Sequence, residues 1–376
     1  MLSCVFWNIK DALPPNQRGI APQKSNEGKK RNTREEKEAD NKRRAPNLVT
    51  AIVNIAQTHE IDLFLLAEYH FDNDEEKMLL RRLEQLTGHQ FQRLPNSKMS
   101  KANGDGRPNI EKEKHIAILT HLEPRWADSN VQQLGVVEVP ADPLNEEPFD
   151  ESRLTLRALY LPGEPAPLLL ACVHLVSKLN ADSITQREEA RRIARRIRLA
   201  ERSFFDGQPP RTIVVGDFNM NPWEEGLILP DAFHSVEWFD QNWLDIRWFN
   251  FDPARATRTL LGKQYPYFYN PIWAHLGDGG TQPIGTYFAR NQSAHTHRRW
   301  NLYDQILLRP AALVVWPVNH PDGCLRILDK AGNLDLTTDS DLTNARMKVP
   351  NASVFFDHLP ILFRLGTYDA AMLAER

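Results

Sequence analysis

Residues 213–222 read Ile-Val-Val-Gly-Asp-Phe-Asn-Met-Asn-Pro, and with Thr212 they form a short, continuously apolar run that ends in polar residues. Such a run, rich in β-branched side chains, reads as a strand buried on both faces. Gly216 near its end permits close backbone approach. Residues two apart on an extended chain point to the same side. Asp217 and Asn219 are therefore expected to emerge together at the mouth of a buried strand. A carboxylate beside an amide suits a site where one group takes a metal or a water and the other donates to a phosphate oxygen. The same residues also favour a turn, since Asp, Asn and Pro all do.

Working outward, the same pattern recurs. Asn8 closes LSCVFWN (2–8), Glu68 follows IDLFLLA (61–67), and His174 lies in LLLACVHLV (168–176). Asp304 sits in YDQILL (303–308), and Asp357-His358 interrupts SVFFDHLPILF (353–363). Ionisable groups inside apolar runs are costly unless paired, hydrogen-bonded or metal-bound. Together they supply carboxylates for a hard cation, amide and imidazole donors for a phosphate, and an Asp and a His for acid/base work.

Further strand-like stretches are 115–120, 133–139 and 153–161, and strands are also expected at 303–308 and 353–363. Helical spacing marks Pro46 to about Thr58 and Ile184 to about Phe204. Strands interleaved with helices imply an α/β layered architecture. One domain over residues 1–368 is expected, with a polar basic insertion at about 10–45, an aromatic-rich loop region at about 222–300 and a tail at 369–376. The second helix carries seven arginines between Arg187 and Arg202 against three glutamates, read as a solvated face laced with ion pairs at four-residue spacing. The aromatic run Tyr265, Tyr267, Phe268, Tyr269 and Trp273 reads as packing beneath a long loop.

The chain has 376 residues, a formal net charge of −3 and a sequence pI of about 6.5. That balance excludes a uniformly basic nucleic-acid coat, so binding to a polyanion must come from local patches. The segment from Lys24 to Arg44, with nine basic and five acidic residues, is one such patch, read either as a solvated loop or as a basic flap over a polyanion. Three cysteines, Cys4, Cys172 and Cys324, at no short spacing exclude a disulfide framework and a zinc site. The N-terminus shows no signal-peptide pattern and no run is long enough to span a bilayer, so a cytoplasmic location without membrane insertion is expected.

The ordered series FWN, LLAE, VHL, GDFN, YDQILL and FDHLPI resembles the endonuclease/exonuclease/phosphatase family, the DNase I-like enzymes, over about residues 2–365. GTYF at 285–288 resembles bacterial-type members. The resemblance implies a two-sheet α/β sandwich with outer helices (the DNase I-like four-layer fold) and a site at the mouth between the sheets. It implies a Mg²⁺ cofactor, with Mn²⁺ as a substitute, held by Asn8 and Glu68, with Asp357 as a further carboxylate. It implies that Asp217 and Asn219 handle the attacking water and scissile phosphate. His174 would stabilise the phosphate or protonate the leaving oxygen, and His358, oriented by Asp304, would act as base or phosphate ligand. Whether Asp217 or His358 takes the water's proton stays open. MNPWEEG, the sequence after GDFN, differs from that of abasic-site endonucleases.

The expected activity is that of a phosphodiesterase acting on nucleic acid, DNA ahead of RNA, with a companion protein left open. Lys178, Arg298 and Arg299 are the candidate substrate contacts. His295, His297, Arg298, Arg299 and Trp300 read either as a backbone-binding cluster or as a polar loop leading to Asp304. The alternatives are an intracellular phosphatase or phosphodiesterase on a small ester or lipid head group, and a catalytically silent binding module on the same scaffold.

Overall fold

The computed structural model describes residues 1–9, 48–69, 71, 73–94, 116–122, 134–141, 151–161, 163–237, 251–252, 257–260, 262–276, 283–289, 299–317, 323–339, 348–351 and 357–366. The basic segment 24–44, His295, His297, Arg298 and the tail 369–376 lie outside them.

Two sheets carry the architecture. The strands that build them are β1 (Leu2–Asn8), β2 (Leu63–Ala67), β3 (Gln92–Leu94), β4 (Ile116–Thr120), β5 (Leu134–Val137), β6 (Leu154–Leu159), β7 (Leu168–His174), β8 (Thr212–Asp217), β9 (Ser235–Val236), β10 (Phe268–Tyr269), β11 (Asp304–Leu308), β12 (Leu325–Ile327) and β13 (Ile361–Leu365). The first sheet runs β12-β13-β1-β2-β4-β3 and the second β5-β6-β7-β8-β11-β10-β9. β1 pairs with β13, so segments near both ends of the chain close the same sheet. Helix α1 (48–59) precedes β2, α2 (Asn73–Thr87) follows it, α3 (Ser183–Phe205) connects β7 to β8, and α4 (Glu225–Ile228) is a single turn.

The continuously apolar strands follow from burial on both faces. On β7, Leu168, Leu170 and Cys172 pack in the core shared by the two sheets, while Leu169, Ala171 and Val173 face α3. β8 divides the same way, Ile213 and Val215 on one side and Val214 on the other. The helix answers with Ala190, Ile193, Ala194, Ile197 and Ala200. Its N-terminus is capped by Asp182, whose side chain accepts from Thr185 N at 2.8 Å, supplying one of the acceptors that a helix start lacks. The ion pairs on its outer face depart from the expected four-residue spacing. Glu188 pairs with Arg191 three residues on, and Arg187 and Arg191 reach Glu225 and Asp231 of the following segment at 2.9 and 2.7 Å. At the inner face Glu201 binds Arg309 through two bonds of 2.8 and 2.9 Å, both side chains buried. The guanidinium lies 3.7 Å from the centre of the Phe268 ring. This pair fastens helix to sheet, and Tyr267 and Phe268 of the aromatic run are buried in packing, the role expected for that run.

Two expectations need correction. The stretch 353–363 is not one strand: pairing begins at Ile361, and His358 makes only an isolated bridge to Tyr287. β8 stops at Asp217, and Asn219 has a φ of 51°, so the alternation argument for Asp217 and Asn219 fails. The chain turns there because Asn219 N donates to Asp217 Oδ1 at 2.7 Å, a local bond that competes with the ladder.

Gly216 pairs with Val173 in the parallel β7–β8 register. A Cβ at this position would stand 1.9 Å from the Val173 carbonyl oxygen, so the two strands approach too closely for a side chain. Gly216→Ala is expected to lower stability by about 1–3 kcal/mol, measured by denaturant titration, with loss of activity beyond what the unfolded fraction explains. A variant as stable as the parent would refute this account of the glycine.

Candidate active site

Register delivers the side chains. In the β7–β8 ladder His174 stands opposite Asp217, and in the β8–β11 ladder Asp217 stands opposite Asp304. Three ionisable residues thus lie side by side at the same end of the second sheet. From the first sheet, Asn8 ends β1 beside Ala67 of β2, and Glu68 follows in a left-handed turn with φ of 52°.

The predicted residues converge. Asn8 Nδ2 donates to Asp217 Oδ2 at 2.8 Å and reaches Glu68 Oε1 at 3.4 Å. His174 Nε2 lies 3.4 Å from Glu68 Oε1 and 4.0 Å from Asp217 Oδ2. His358 Nε2 lies 3.9 Å from the same Asp217 oxygen, and its Nδ1 lies 2.8 Å from Asp304 Oδ2. Asn219 Nδ2 donates to Leu175 O at 2.8 Å, fixing the amide beside β7. Asp217, Asp304 and His358 are buried, whereas the Glu68 side chain keeps 17 % of its surface, the most open member of the group. Asp357 is buried next to His358, and its backbone oxygen accepts from Phe288 N at 2.8 Å.

Several supporting residues escaped the sequence reading. Thr286 of the GTYF stretch takes a bond from Asp304 N on its hydroxyl at 2.9 Å, and its carbonyl accepts from Leu359 N at 2.7 Å. It therefore staples the Asp304 segment to the His358 segment. Tyr287 stacks on buried Tyr303 with centres 4.9 Å apart and lies 4.7 Å from His358. Trp7 Nε1 holds the His358 carbonyl at 3.1 Å. Asn221 bonds Asn301 Oδ1 at 3.1 Å and accepts from Leu302 N at 3.0 Å, tying the turn after Asn219 to the approach of β11. GTYF was the available signal; nothing local distinguishes Trp7 or Asn221. Lys178 is already paired with Glu224 and lies 5.6 Å from the Tyr303 ring centre, and Arg299 is exposed.

Burial pushes the Asp304 carboxyl up, against the pull of His358. Burial alone would disfavour the charged imidazole of His358, but Asp304, Asp217 and Asp357 outweigh it and hold His358 well above its ordinary range. These carboxylates favour the protonated form of His358, and Asp304 sets its orientation.

A bound cation is consistent with this donor set. Carboxylate oxygens of Glu68 and Asp217 both lie within reach of the Asn8 amide nitrogen, and oxygen is the ligand that Mg²⁺ prefers. Asp217, Asp304 and His358 also offer atoms within 4.8 Å of one another. In that trio Nδ1 of His358 is engaged by Asp304, whereas the Glu68 carboxylate is the more open oxygen donor.

A two-sheet α/β sandwich with this cluster at its mouth is the DNase I-like class of fold. The chain belongs to the endonuclease/exonuclease/phosphatase family, whose model matches residues 32–341. The members of that family are metal-dependent phosphoric ester hydrolases. Asn8, Asp357 and His358 fall outside the matched span, yet the fold brings them to its centre. Among solved structures the chain is similar to an endonuclease/exonuclease/phosphatase family protein from Bacteroides thetaiotaomicron, at 11 % identity over 98 % of both chains with a TM-score of 0.44. It is also similar to truncated TDP2 from Caenorhabditis elegans, at 12 % over 97 % of both, TM-score 0.44. A mannosyl-6-phosphatase from Bacteroides thetaiotaomicron aligns at 13 % over 97 % of this chain and 99 % of that one, TM-score 0.47. Comparison with curated proteins returns no match.

A His whose folded proton affinity is raised adds stability that is complete below its unfolded value, near pH 6.5, and is lost as pH rises through the folded value. In chelator, the melting-temperature difference between the parent and the Asp304→Asn/His358→Gln double variant, in which neither group titrates, is therefore expected to shrink from pH 6.5 upward. A difference that stays constant or widens over that range would show that His358 is not held protonated.

Proposed function

We propose that this chain is a Mg²⁺-dependent phosphodiesterase that hydrolyses nucleic acid, DNA in preference to RNA, in the cytoplasm. The observation that carries the enzyme assignment is the convergence of Asn8, Glu68, His174, Asp217, Asp304 and His358 within hydrogen-bond or ion-pair reach of one another. Three free cysteines, two of them buried, accord with a reducing compartment.

Glu68 and Asn8 would hold the cation, with Asp357 as a further carboxylate. When bound, Mg²⁺ supplies positive charge that polarises the phosphoryl group and offsets charge on the leaving oxygen. The residues do the rest. Asp217 Oδ2, oriented by the Asn8 amide, accepts the proton of the attacking water. The raised proton affinity of His358 disfavours it as the base and suits it to donate from Nε2 to a non-bridging phosphate oxygen, with Asp304 fixing the orientation of the ring. Asn219, anchored to Leu175 O, keeps its turn rigid beside the scissile phosphate. His174 Nε2, next to Glu68, stabilises or protonates the leaving oxygen. Each positioned acid or base typically contributes about 10²–10⁴-fold.

For the substrate, the basic segment 24–44 and Arg298-Arg299 support a polyanion. One observation favours a second reading, a small phosphate ester: Arg187 and Arg191 of α3 are already paired with Glu188, Glu225 and Asp231, which weakens the first half of that helix as a basic track.

The test supplies plasmid, single-stranded DNA, RNA and a panel of phosphomonoesters, with Mg²⁺, with Mn²⁺ and with chelator. Polymer cleavage is expected with either metal, lost in chelator and reduced at least about 10²-fold in Asp217→Ala and in His358→Ala. Turnover of monoesters alone would reject the nucleic-acid reading, and no turnover of anything would reject the enzyme. Neutralising Lys29, Lys30 and Arg31 together is expected to weaken DNA binding and flatten its salt dependence; an unchanged slope would make that segment mere solvation.

A further inference from the structure

Glu68 occupies an unfavourable backbone conformation for a residue with a Cβ. Its φ of 52° lies in the left-handed region, which costs a non-glycine residue roughly 1–2 kcal/mol. A carboxylate can be aimed reproducibly from such a turn only if neighbouring structure holds the turn in place. On one side β2 does so, through its parallel pairing with β1 and the 3.1 Å bond from Ile9 N to Ala67 O. On the other side the chain continues directly into Tyr69.

Tyr69 is buried, with 4 % of its surface exposed. Its ring meets Phe71 edge-on with centres 4.8 Å apart. The guanidinium of Arg93, on edge strand β3, lies 5.1 Å from the ring centre. Arg93 in turn bonds Glu76 of α2 through Nη1 and Oε2 at 3.1 Å, with both side chains largely covered, 15 % and 22 % exposed. β3 is anchored by pairing with β4, and α2 by burial of Leu79 and Leu83. The Tyr69 ring is therefore gripped by a cation held between β3 and α2 and by a second ring that packs on the core. A cation over a partly desolvated ring contributes about 0.5–2 kcal/mol, enough to offset the strain at the preceding residue.

We propose that Arg93 and Glu76 are positioning residues for the cation site: acting through Tyr69, they keep Glu68 in the left-handed turn that presents its carboxylate to Asn8 and Asp217. This deepens the reading of Glu68 as a cation ligand and rests on it. Residues behind a metal ligand typically change affinity by about 10–100-fold when removed.

Mn²⁺ binding to the full chain, followed by electron paramagnetic resonance without substrate, reads the effect directly. Four variants are compared with the parent: Arg93→Ala, Arg93→Lys, Glu76→Gln and Glu68→Gln, with melting temperature in chelator recorded for each. Arg93→Ala is expected to weaken Mn²⁺ binding about tenfold or more while the chelator melting temperature stays within a few degrees. Arg93→Lys, which keeps a cation over the ring, recovers most of the affinity, and Glu76→Gln falls between. Glu68→Gln is expected to lose more affinity than any of them. Parental Mn²⁺ affinity in Arg93→Ala and Glu76→Gln, beside a weakened Glu68→Gln, would overturn the positioning role and leave the ligand standing. Parental affinity in Glu68→Gln would overturn the ligand and the positioning role with it. Should Arg93→Ala fail to fold, Glu76→Gln decides the matter alone, because it removes the ion pair without emptying space around the ring.

Discussion

The interaction on which the site depends is the opposition of Asp217 and Asp304 across two antiparallel strands. Like charges directly opposite on one sheet are destabilising, and here both carboxylates are buried. The arrangement persists because each has an answer. Asp304 is bonded to the imidazole of His358, and Asp217 accepts from the Asn8 amide and from Asn219 N. His358 stands between the two carboxylates, 2.8 Å from Asp304 Oδ2 and 3.9 Å from Asp217 Oδ2, and this offsets the cross-strand repulsion. The chemistry assigned to the site is a consequence of that electrostatic balance.

The sandwich places these groups at its mouth for a mechanical reason. β1 and β2 end where β7, β8 and β11 present their own polar ends, so residues from the two sheets meet across the gap between them. Polar contacts that cross this gap include Asn8 to Asp217, His174 to Glu68 and His358 to Asp304. The GTYF segment supplies a lateral tie, with Thr286 linked both to Asp304 and to Leu359. Pre-organised donors and charges held this way lower the reorganisation demanded during reaction. They also make the site sensitive to small displacements of either sheet.

The aromatic-rich region illustrates how one composition serves two purposes. Tyr267 and Phe268 are buried and support the Arg309–Glu201 pair beneath α3. Tyr287 and Tyr303, by contrast, form a wall against His358, and the phenol of Tyr303 is kept protonated by burial and by Glu224. Lys178, bound to Glu224 over the Tyr303 ring, belongs to this wall. Its ammonium is therefore a structural charge near the site, and a substrate phosphate would compete with Glu224 for it.

The sequence by itself determined the strands, their burial on both faces and the polar residues that end them. Continuous apolar runs have one low-energy environment, and an ionisable residue at the end of such a run must find a partner. That logic singled out Asn8, Glu68, His174, Asp217, Asp304 and His358 before any coordinates. Of the two readings of Asp217 and Asn219, alternation fails and the turn holds, because a local bond to Asp217 bends the chain. That logic also merged the His358 segment into one strand with the residues after it. Only the tertiary structure decided register: that His174, Asp217 and Asp304 stand level, and that Thr286, Trp7 and the Tyr69–Arg93–Glu76 group lie behind them. Those relations join residues tens to hundreds of positions apart, and no local pattern encodes a contact whose partner is set by how two sheets pack.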